Sequence, residues 1–224
     1  MLKKNTVLAV LAIASLFASL LAVGRYYFSD NLRFTFLIWN LFLAWLPVGF
    51  AYLAYRQLNN GNQAASKLPF TLLFIGLWLL FLPNAPYLVT DFVHLRPMKN
   101  TPLWYDALMI FSFAMTGLLL GFVSLAWLQT AVQQRYGRLS GWLFALSSLT
   151  MTGFGVYIGR FLRWNSWDIL TQPSSLITNL LQNFVVPNLA TDAWGWSLSL
   201  VGMLVGSYVL LMSWRQDWAT GNGR

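Results

Sequence analysis

The chain is patterned as a series of long apolar runs separated by short polar segments. A helix that crosses a bilayer needs about 20 predominantly apolar residues, and six runs approach that length. The third run is the shortest because Pro83 interrupts it, and Pro47 is expected to kink the second. The predicted spans are Thr6–Val23, Phe34–Tyr55, Leu68–Leu82, Leu103–Leu128, Trp142–Leu162 and Trp194–Trp214.

The composition identifies lipid as the solvent for these runs. Charged residues make up 9% of the chain, whereas soluble domains carry about 25%. The net charge of +8 does not indicate nucleic-acid binding, because the basic residues are scattered between apolar runs, as in membrane-protein loops. We therefore predict an all-α, polytopic integral membrane helix bundle of about six transmembrane helices plus short interfacial helices, with residues 1–224 forming a single membrane domain.

Six spans place both termini on the same side of the membrane. Lys3 and Lys4 precede the first span, which favours a cytoplasmic N-terminus. The first run resembles a signal peptide, but no small-residue cleavage site follows it, so we interpret it as a retained helix. The sequence thus predicts a multi-pass plasma-membrane protein with both termini in the cytoplasm.

Polar residues within or beside the spans gather at one membrane boundary when the direction of each helix is followed. This boundary is the outer one in the predicted orientation, and the inner halves of the spans carry almost no ionisable residue. Hydrocarbon tolerates ionised groups only where water or an opposite charge is at hand. The outer polar residues are Asn40, Asn84, Tyr87, Asp91, His94, Asp106, Arg160, Arg163, Asn165 and Asp168.

The segment LPNAPYLVTDFVHL is predicted to break the third span and begin a short new helix. Asn84 is a candidate cap for that helix. Tyr87, Asp91 and His94 follow at positions i, i+4 and i+7, so an α-helix would place them on one face. Asp91 and His94 are the candidate catalytic pair, because a carboxylate one turn from an imidazole is suited to moving a proton.

Alternative interpretations apply to the same residues. Asp91 and His94 could join Asp106 in holding a divalent cation, although one His and no Cys in the whole chain give little support to a metal site. A structural interpretation gives Asp106 the role of a first-turn carboxylate that favours the helix dipole. An Asp106–Arg160 or Asp91–Arg163 pair would neutralise charges that lipid cannot solvate.

The segment GRFLRWNSWD closes the fifth span and carries the candidate anion-binding residues. Arg160 and Arg163 lie about one helical turn apart, and two guanidinium groups suit a phosphate or a carboxylate. They could equally extend toward lipid phosphates at the interface. Asn165 and Asp168 have the spacing of a capping box, which would make Asp168 structural.

Two further patterns concern helix packing. Small residues four apart let helix backbones approach closely, so the last three spans are predicted to pack tightly together or to form helix–helix oligomers. The glycine pairs with this spacing are Gly117 and Gly121, Gly155 and Gly159, and Gly202 and Gly206.

The loop between Trp164 and Ala193 contains a predicted interfacial helix, with one apolar face and no Lys or Arg, which could lie over the outer polar residues.

Four motifs carry a resemblance to a known family. NLFLAWLPVGFA (40–51), LWLLFLPNAPYLVTDFVHL (77–95), WYD (104–106) and GRFLRWNSWD (159–168) resemble the bacterial multi-span membrane proteins filed as domain of unknown function 1361. The resemblance implies a helical membrane protein of similar length. It implies no activity and no cofactor.

Three classes of function remain open. The first is a structural or accessory membrane component with an outer-face polar cluster. The second is an enzyme or binding protein for an anionic headgroup or small anion at the extracytoplasmic face, with Asn84, Tyr87, Asp106, Asn165 and Asp168 in supporting roles. The third is a small transporter, which the broken third span favours and the apolar inner half disfavours. The predicted surroundings are the lipid bilayer, without nucleic acid, and no cofactor can be named.

Overall fold

The computed structural model describes residues 4–29, 32–59, 68–97, 101–185 and 187–220. Within these ranges the regular elements are helices, which confirms the predicted all-α class. Two 3₁₀ helices, Leu32–Phe34 and Leu88–His94, supplement the α-helices. The α-helices are α1 (Lys4–Ser29), α2 (Phe36–Asn59), α3 (Leu68–Phe81), α4 (Asn84–Tyr87), α5 (Leu103–Tyr136), α6 (Arg138–Arg160), α7 (Asp168–Thr171), α8 (Pro173–Val185) and α9 (Pro187–Thr220).

Six of the described helical stretches are long and apolar enough to cross a membrane, and each overlaps one predicted span. The third, Leu68–His94, contains α3, the break at Pro83, α4 and the second 3₁₀ helix. The segment after the break therefore completes the short third span. The fourth, Leu103–Tyr136, has 34 residues and extends past the predicted end at Leu128.

The chain divides into two compact units at residue 137. The four-span unit, Leu2–Gly137, has α2 packed against α3, α4 and α5, and α1 packed against α5 and α2. The two-span unit, Arg138–Arg224, has α6 and α8 packed against α9. The prediction that spans four to six form one tightly packed half is therefore wrong, because span four belongs with the first three.

Glycines in α5 make room for the broken third span. A Cβ on Gly117 would lie 2.5 Å from the carbonyl oxygen of Ala85 and 2.6 Å from Cδ1 of Leu88. A Cβ on Gly121 would lie 3.0 Å from Cβ of Ala85. This glycine pair thus packs within the chain, against the break itself.

The two-span unit uses a different glycine for close packing. A Cβ on Gly153 of α6 would meet Val201 of α9 and would lie 3.2 Å from the carbonyl oxygen of Ser197. A Cβ on Gly202 or Gly206 would have open space around it. The GxxxG pair of the last span therefore does not set the α6–α9 approach.

Candidate functional site

A buried ion pair joins the end of α1 to the start of α5. The Arg25 guanidinium donates from Nε to Asp106 Oδ1 over 2.8 Å and from Nη2 to Oδ2 over 3.3 Å. Both side chains are 1% exposed. The guanidinium carbon also lies 4.5 Å from the ring centroid of Phe34. This two-pronged geometry neutralises both charges where neither has access to water.

Two more contacts hold α1 against α5 beside the ion pair. The Tyr105 hydroxyl donates to the carbonyl oxygen of Leu21 over 2.9 Å. A Cβ on Gly24 would lie 3.0 Å from that hydroxyl oxygen, so the missing side chain leaves room for the phenol. About one turn of α1 therefore supplies all three contacts, through Leu21, Gly24 and Arg25. Their partners, Tyr105 and Asp106, lie in the first turn of α5.

Asp91 lies inside the four-span unit, with an exposed fraction of 0%. Asn40 of α2 donates from Nδ2 to Asp91 Oδ2 over 3.4 Å. Because residues 88–94 wind as a 3₁₀ helix with three residues per turn, Asp91 shares a face with Leu88 and His94. The prediction that Tyr87, Asp91 and His94 share one face assumed α-helical winding. It is wrong for Tyr87, which does not lie on the face of Asp91 and His94.

His94 belongs to a row of aromatic rings that leads toward the ion pair. Its ring centroid lies 5.2 Å from that of Phe36, in an edge-to-face arrangement. The Phe36 centroid lies 6.2 Å from that of Phe34, the ring beneath Arg25. These contacts place both polar pairs at the same end of the four-span unit. We call Arg25, Asn40, Asp91, His94 and Asp106 the buried polar cluster, in which Arg25, Asp91 and Asp106 are buried and Asn40 and His94 are half-buried.

The buried polar cluster corrects two expectations. The sequence suggested Arg160 on span five as the partner of Asp106, whereas the structure supplies Arg25 from span one. Among the described residues, no group of three or more His, Asp, Glu or Cys side chains is placed to hold a metal ion. Asp91, His94 and Asp106 all lie in the described part of the chain, so the divalent-cation interpretation of these three residues is wrong.

Asn84 and Tyr87 flank the break in the third span. The first residue before α4 is Pro83, and no side chain caps that helix, so the predicted N-cap role of Asn84 is wrong. Asn84 instead donates from Nδ2 to the carbonyl oxygen of Phe81 over 3.0 Å. It thereby satisfies an acceptor that the end of α3 leaves open. Tyr87 is half-buried, and its carbonyl oxygen accepts from the Thr90 hydroxyl.

The candidate anion-binding residues lie in the two-span unit. Arg160 is the last residue of α6 and is half-buried, whereas Arg163 is exposed. Arg163 has φ of 59°, in the left-handed region that favours glycine. This turn brings the amide of Trp164 within 3.3 Å of the carbonyl oxygen of Ile158. Convergence of Arg160 and Arg163 with Asp91 stays a prediction.

Asp168 is part of a local backbone motif. Its Oδ2 accepts from the amide of Asn165 over 2.6 Å and from Asn165 Nδ2 over 3.2 Å. The amide of Asp168 donates in return to the carbonyl oxygen of Asn165 over 3.0 Å. Only half of the expected capping box is present, because the Asp168 carboxylate accepts from the Asn165 amide, whereas the residue before α7 is Trp167 and no side chain caps that helix. That Asn165 and Asp168 support a binding site stays a prediction.

Sequence reasoning missed Arg25. The predicted first span ends at Val23, whereas α1 continues to Ser29 and places Arg25 inside the helix. Gly24 is the only turn-favouring residue between the apolar run and Arg25, so the sequence did not require the helix to end there. An arginine inside the end of a membrane-spanning helix calls for a carboxylate on another helix.

A comparison with models of protein families identifies a match over most of the chain. A family model described as "Protein of unknown function (DUF1361)" matches residues 39–211. That range contains Asn40, Asp91, His94 and Asp106 of the buried polar cluster, while Arg25 precedes it. No curated protein and no solved structure matches the chain.

Proposed function

Because the chain belongs to the DUF1361 family of proteins of unknown function, we propose a role from its own chemistry: a structural or accessory component of the membrane. In this proposal it is a multi-pass protein of the plasma membrane with both termini in the cytoplasm. The buried polar cluster then lies at the outer end of the four-span unit. Its task is to hold α1, α2, the broken third span and α5 in fixed register.

The observation that carries the proposal is the burial of the charged groups. Arg25 and Asp106 are closed off from solvent, and so is Asp91. A ligand arriving from water could contact these groups only if the helices moved apart. A scaffold, in contrast, needs this closure, because an ion pair is strongest where water does not compete for it.

The energetics of burial favour the same role. Each of the two charges would be costly alone in a low-dielectric interior, and their mutual hydrogen bonds offset that cost. Misplacing α1 by one residue would rotate Arg25 by about 100° around the helix and leave two unpaired charges. The pair therefore penalises wrong registers of α1 more than it stabilises the right one, which is the use of buried ion pairs that we propose here.

A second candidate is a protein that binds or acts on an anionic headgroup or small anion at the extracytoplasmic face. It is favoured by Arg163, an exposed guanidinium one turn beyond the end of α6. Arg160 and Arg163 are the anion-binding candidates of the two-span unit, and Asp91 and His94 are the catalytic candidates of the four-span unit. The transporter alternative rests on the break at Pro83 alone.

Substitution at Asp91 and Arg160 separates the two candidates. Asp91→Asn keeps the shape of the side chain and removes its charge. Arg160→Lys keeps the positive charge and removes the planar guanidinium that can bind an anion through two donors. Each variant is expressed in a strain lacking the gene, and both membrane abundance and rescue of the deletion phenotype are measured. A scaffold predicts that Asp91→Asn lowers abundance and rescue together, while Arg160→Lys changes neither. Normal abundance with lost rescue in both variants would refute the scaffold and favour the anion site.

A further inference from the structure

Helix α8 connects two membrane spans that end at the same membrane face. The span Arg138–Arg160 precedes it and the span Ala193–Trp214 follows it. Only short segments separate α8 from either span, and α8 packs against α9. Its sequence, PSSLITNLLQNFV, contains no charged residue. The helix is therefore held close to the membrane boundary and is not drawn into water by charge.

The side chains of α8 divide into three rows. Leu176 is buried, and Asn179, Leu180 and Asn183 on the same side are half-buried. A second row consists of large apolar side chains at i, i+4 and i+8 that are left exposed: Ile177 at 56%, Leu181 at 58% and Val185 at 67%. A third row is exposed and polar, and it consists of Ser175, Thr178 and Gln182.

This arrangement refines the expected amphipathic helix. The sequence predicts an apolar face of Leu176, Ile177, Leu180, Leu181 and Phe184, with Asn179, Gln182 and Asn183 opposite; the Phe184 side chain lies outside the described residues. The opposite face is wrong for Asn179 and Asn183, which are half-buried beside Leu180. The structure splits the apolar face, because Leu176 packs inward while Ile177 and Leu181 point away from the protein. An apolar row beside a polar row, with the remaining side packed on protein, is the arrangement of a helix that lies in the plane of the membrane interface.

We propose that the row of Ile177, Leu181 and Val185 inserts among the acyl chains at the membrane boundary, and that α8 is a lipid-contacting interfacial helix. Trp194 and Leu198 of α9 are exposed as well, at 44% and 53%, so the adjoining span also presents large apolar side chains to its surroundings. Because α8 carries no charge, its insertion depends on apolar contact and requires no anionic lipid. This inference is independent of the proposed scaffold function.

The absence of cysteine from the chain gives a direct test. An environment-sensitive fluorophore is attached to single cysteines at Ile177 and Leu181 for the apolar row, and at Thr178 and Gln182 for the polar row. Leu176→Cys provides the buried control. Each purified full-length variant is reconstituted in phosphatidylcholine vesicles that contain a lipid with brominated acyl chains, and iodide is added as the aqueous quencher. Unchanged thermal unfolding and gel-filtration profiles establish that each variant is folded.

The expected result is a different quenching pattern for each row. Labels at 177 and 181 are quenched by brominated lipid and protected from iodide, at a depth of about 5–10 Å below the interface. Labels at 178 and 182 show the reverse. Emission at 177 and 181 stays unchanged when phosphatidylglycerol replaces half of the phosphatidylcholine or when salt is raised. Iodide quenching at 177 and 181 equal to that at 178 and 182 would overturn the proposal, and so would protection from both quenchers, which would mean that protein covers the row.

Discussion

Removing one member of the Arg25–Asp106 pair should destabilise the four-span unit much more than removing both. Arg25→Met leaves a buried carboxylate, and Asp106→Leu leaves a buried guanidinium, in a place where both side chains are 1% exposed. Breaking a buried ion pair in this way costs about 3–5 kcal/mol. The total stability of a folded domain is only about 5–15 kcal/mol, so each single variant should lose a large fraction of it.

The double variant, Arg25→Met with Asp106→Leu, should recover most of this loss. Replacing both partners of a buried ion pair with apolar residues is often neutral or stabilising by about 1–4 kcal/mol. The four proteins of this cycle are compared by membrane abundance and by thermal unfolding in mild detergent. Arg96→Met is the matched control, because Arg96 is exposed and its loss should stay within about 0.5 kcal/mol.

The coupling energy between the two substitutions shows whether Arg25 and Asp106 act as a pair that fixes the position of α1. Interhelical hydrogen bonds in membrane proteins average only about 0.6 kcal/mol in such cycles. The two-pronged geometry at 2.8 and 3.3 Å and the exclusion of water should raise the coupling to several times that average. A double variant that unfolds as if the two single losses simply added would refute the argument that the pair fixes the position of α1.

Three further predictions, with four substitutions, concern packing and backbone geometry, and each is tested by thermal unfolding in detergent. Gly117→Ala should lower the unfolding temperature clearly, because its Cβ would lie 2.5 Å from the Ala85 carbonyl oxygen. Gly202→Ala is the control and should not lower it, because a Cβ there has open space. Equal effects of the two substitutions would contradict the close packing of α5 against α4. Arg163→Gly should stabilise the two-span unit by about 1 kcal/mol, since it removes the left-handed strain, and an unfolding temperature at or below the native value would contradict this. Asp168→Ala should cost about 1 kcal/mol by removing the hydrogen bond that its carboxylate accepts from the Asn165 amide, and an unchanged unfolding temperature would mean that water replaces this bond.

Hydropathy sufficed to predict the spans because lipid leaves a crossing segment few alternatives to a long apolar helix. The break at Pro83 was also predictable, and so was the hydrogen bond between the Asn165 amide and Asp168, since both depend on residues close in sequence. Arg25 was not, because its partner lies 81 positions away and only tertiary packing brings them together. Tyr87 was grouped with Asp91 because the pattern cannot distinguish α from 3₁₀ winding over seven residues. The single membrane domain and the cytoplasmic termini stay predictions.

The length of α5 has a consequence for the side of the membrane opposite the buried polar cluster. Its 34 residues rise about 51 Å at 1.5 Å each, or about 48 Å at a tilt of 20°. A bilayer with its headgroups is about 40–45 Å thick. With Leu103 at one headgroup boundary, the final turn around Gln133 and Arg135 therefore extends about 3–8 Å beyond the opposite headgroups into water. A fluorescent tag or an antibody epitope inserted at Gly137 would be carried clear of the lipid surface.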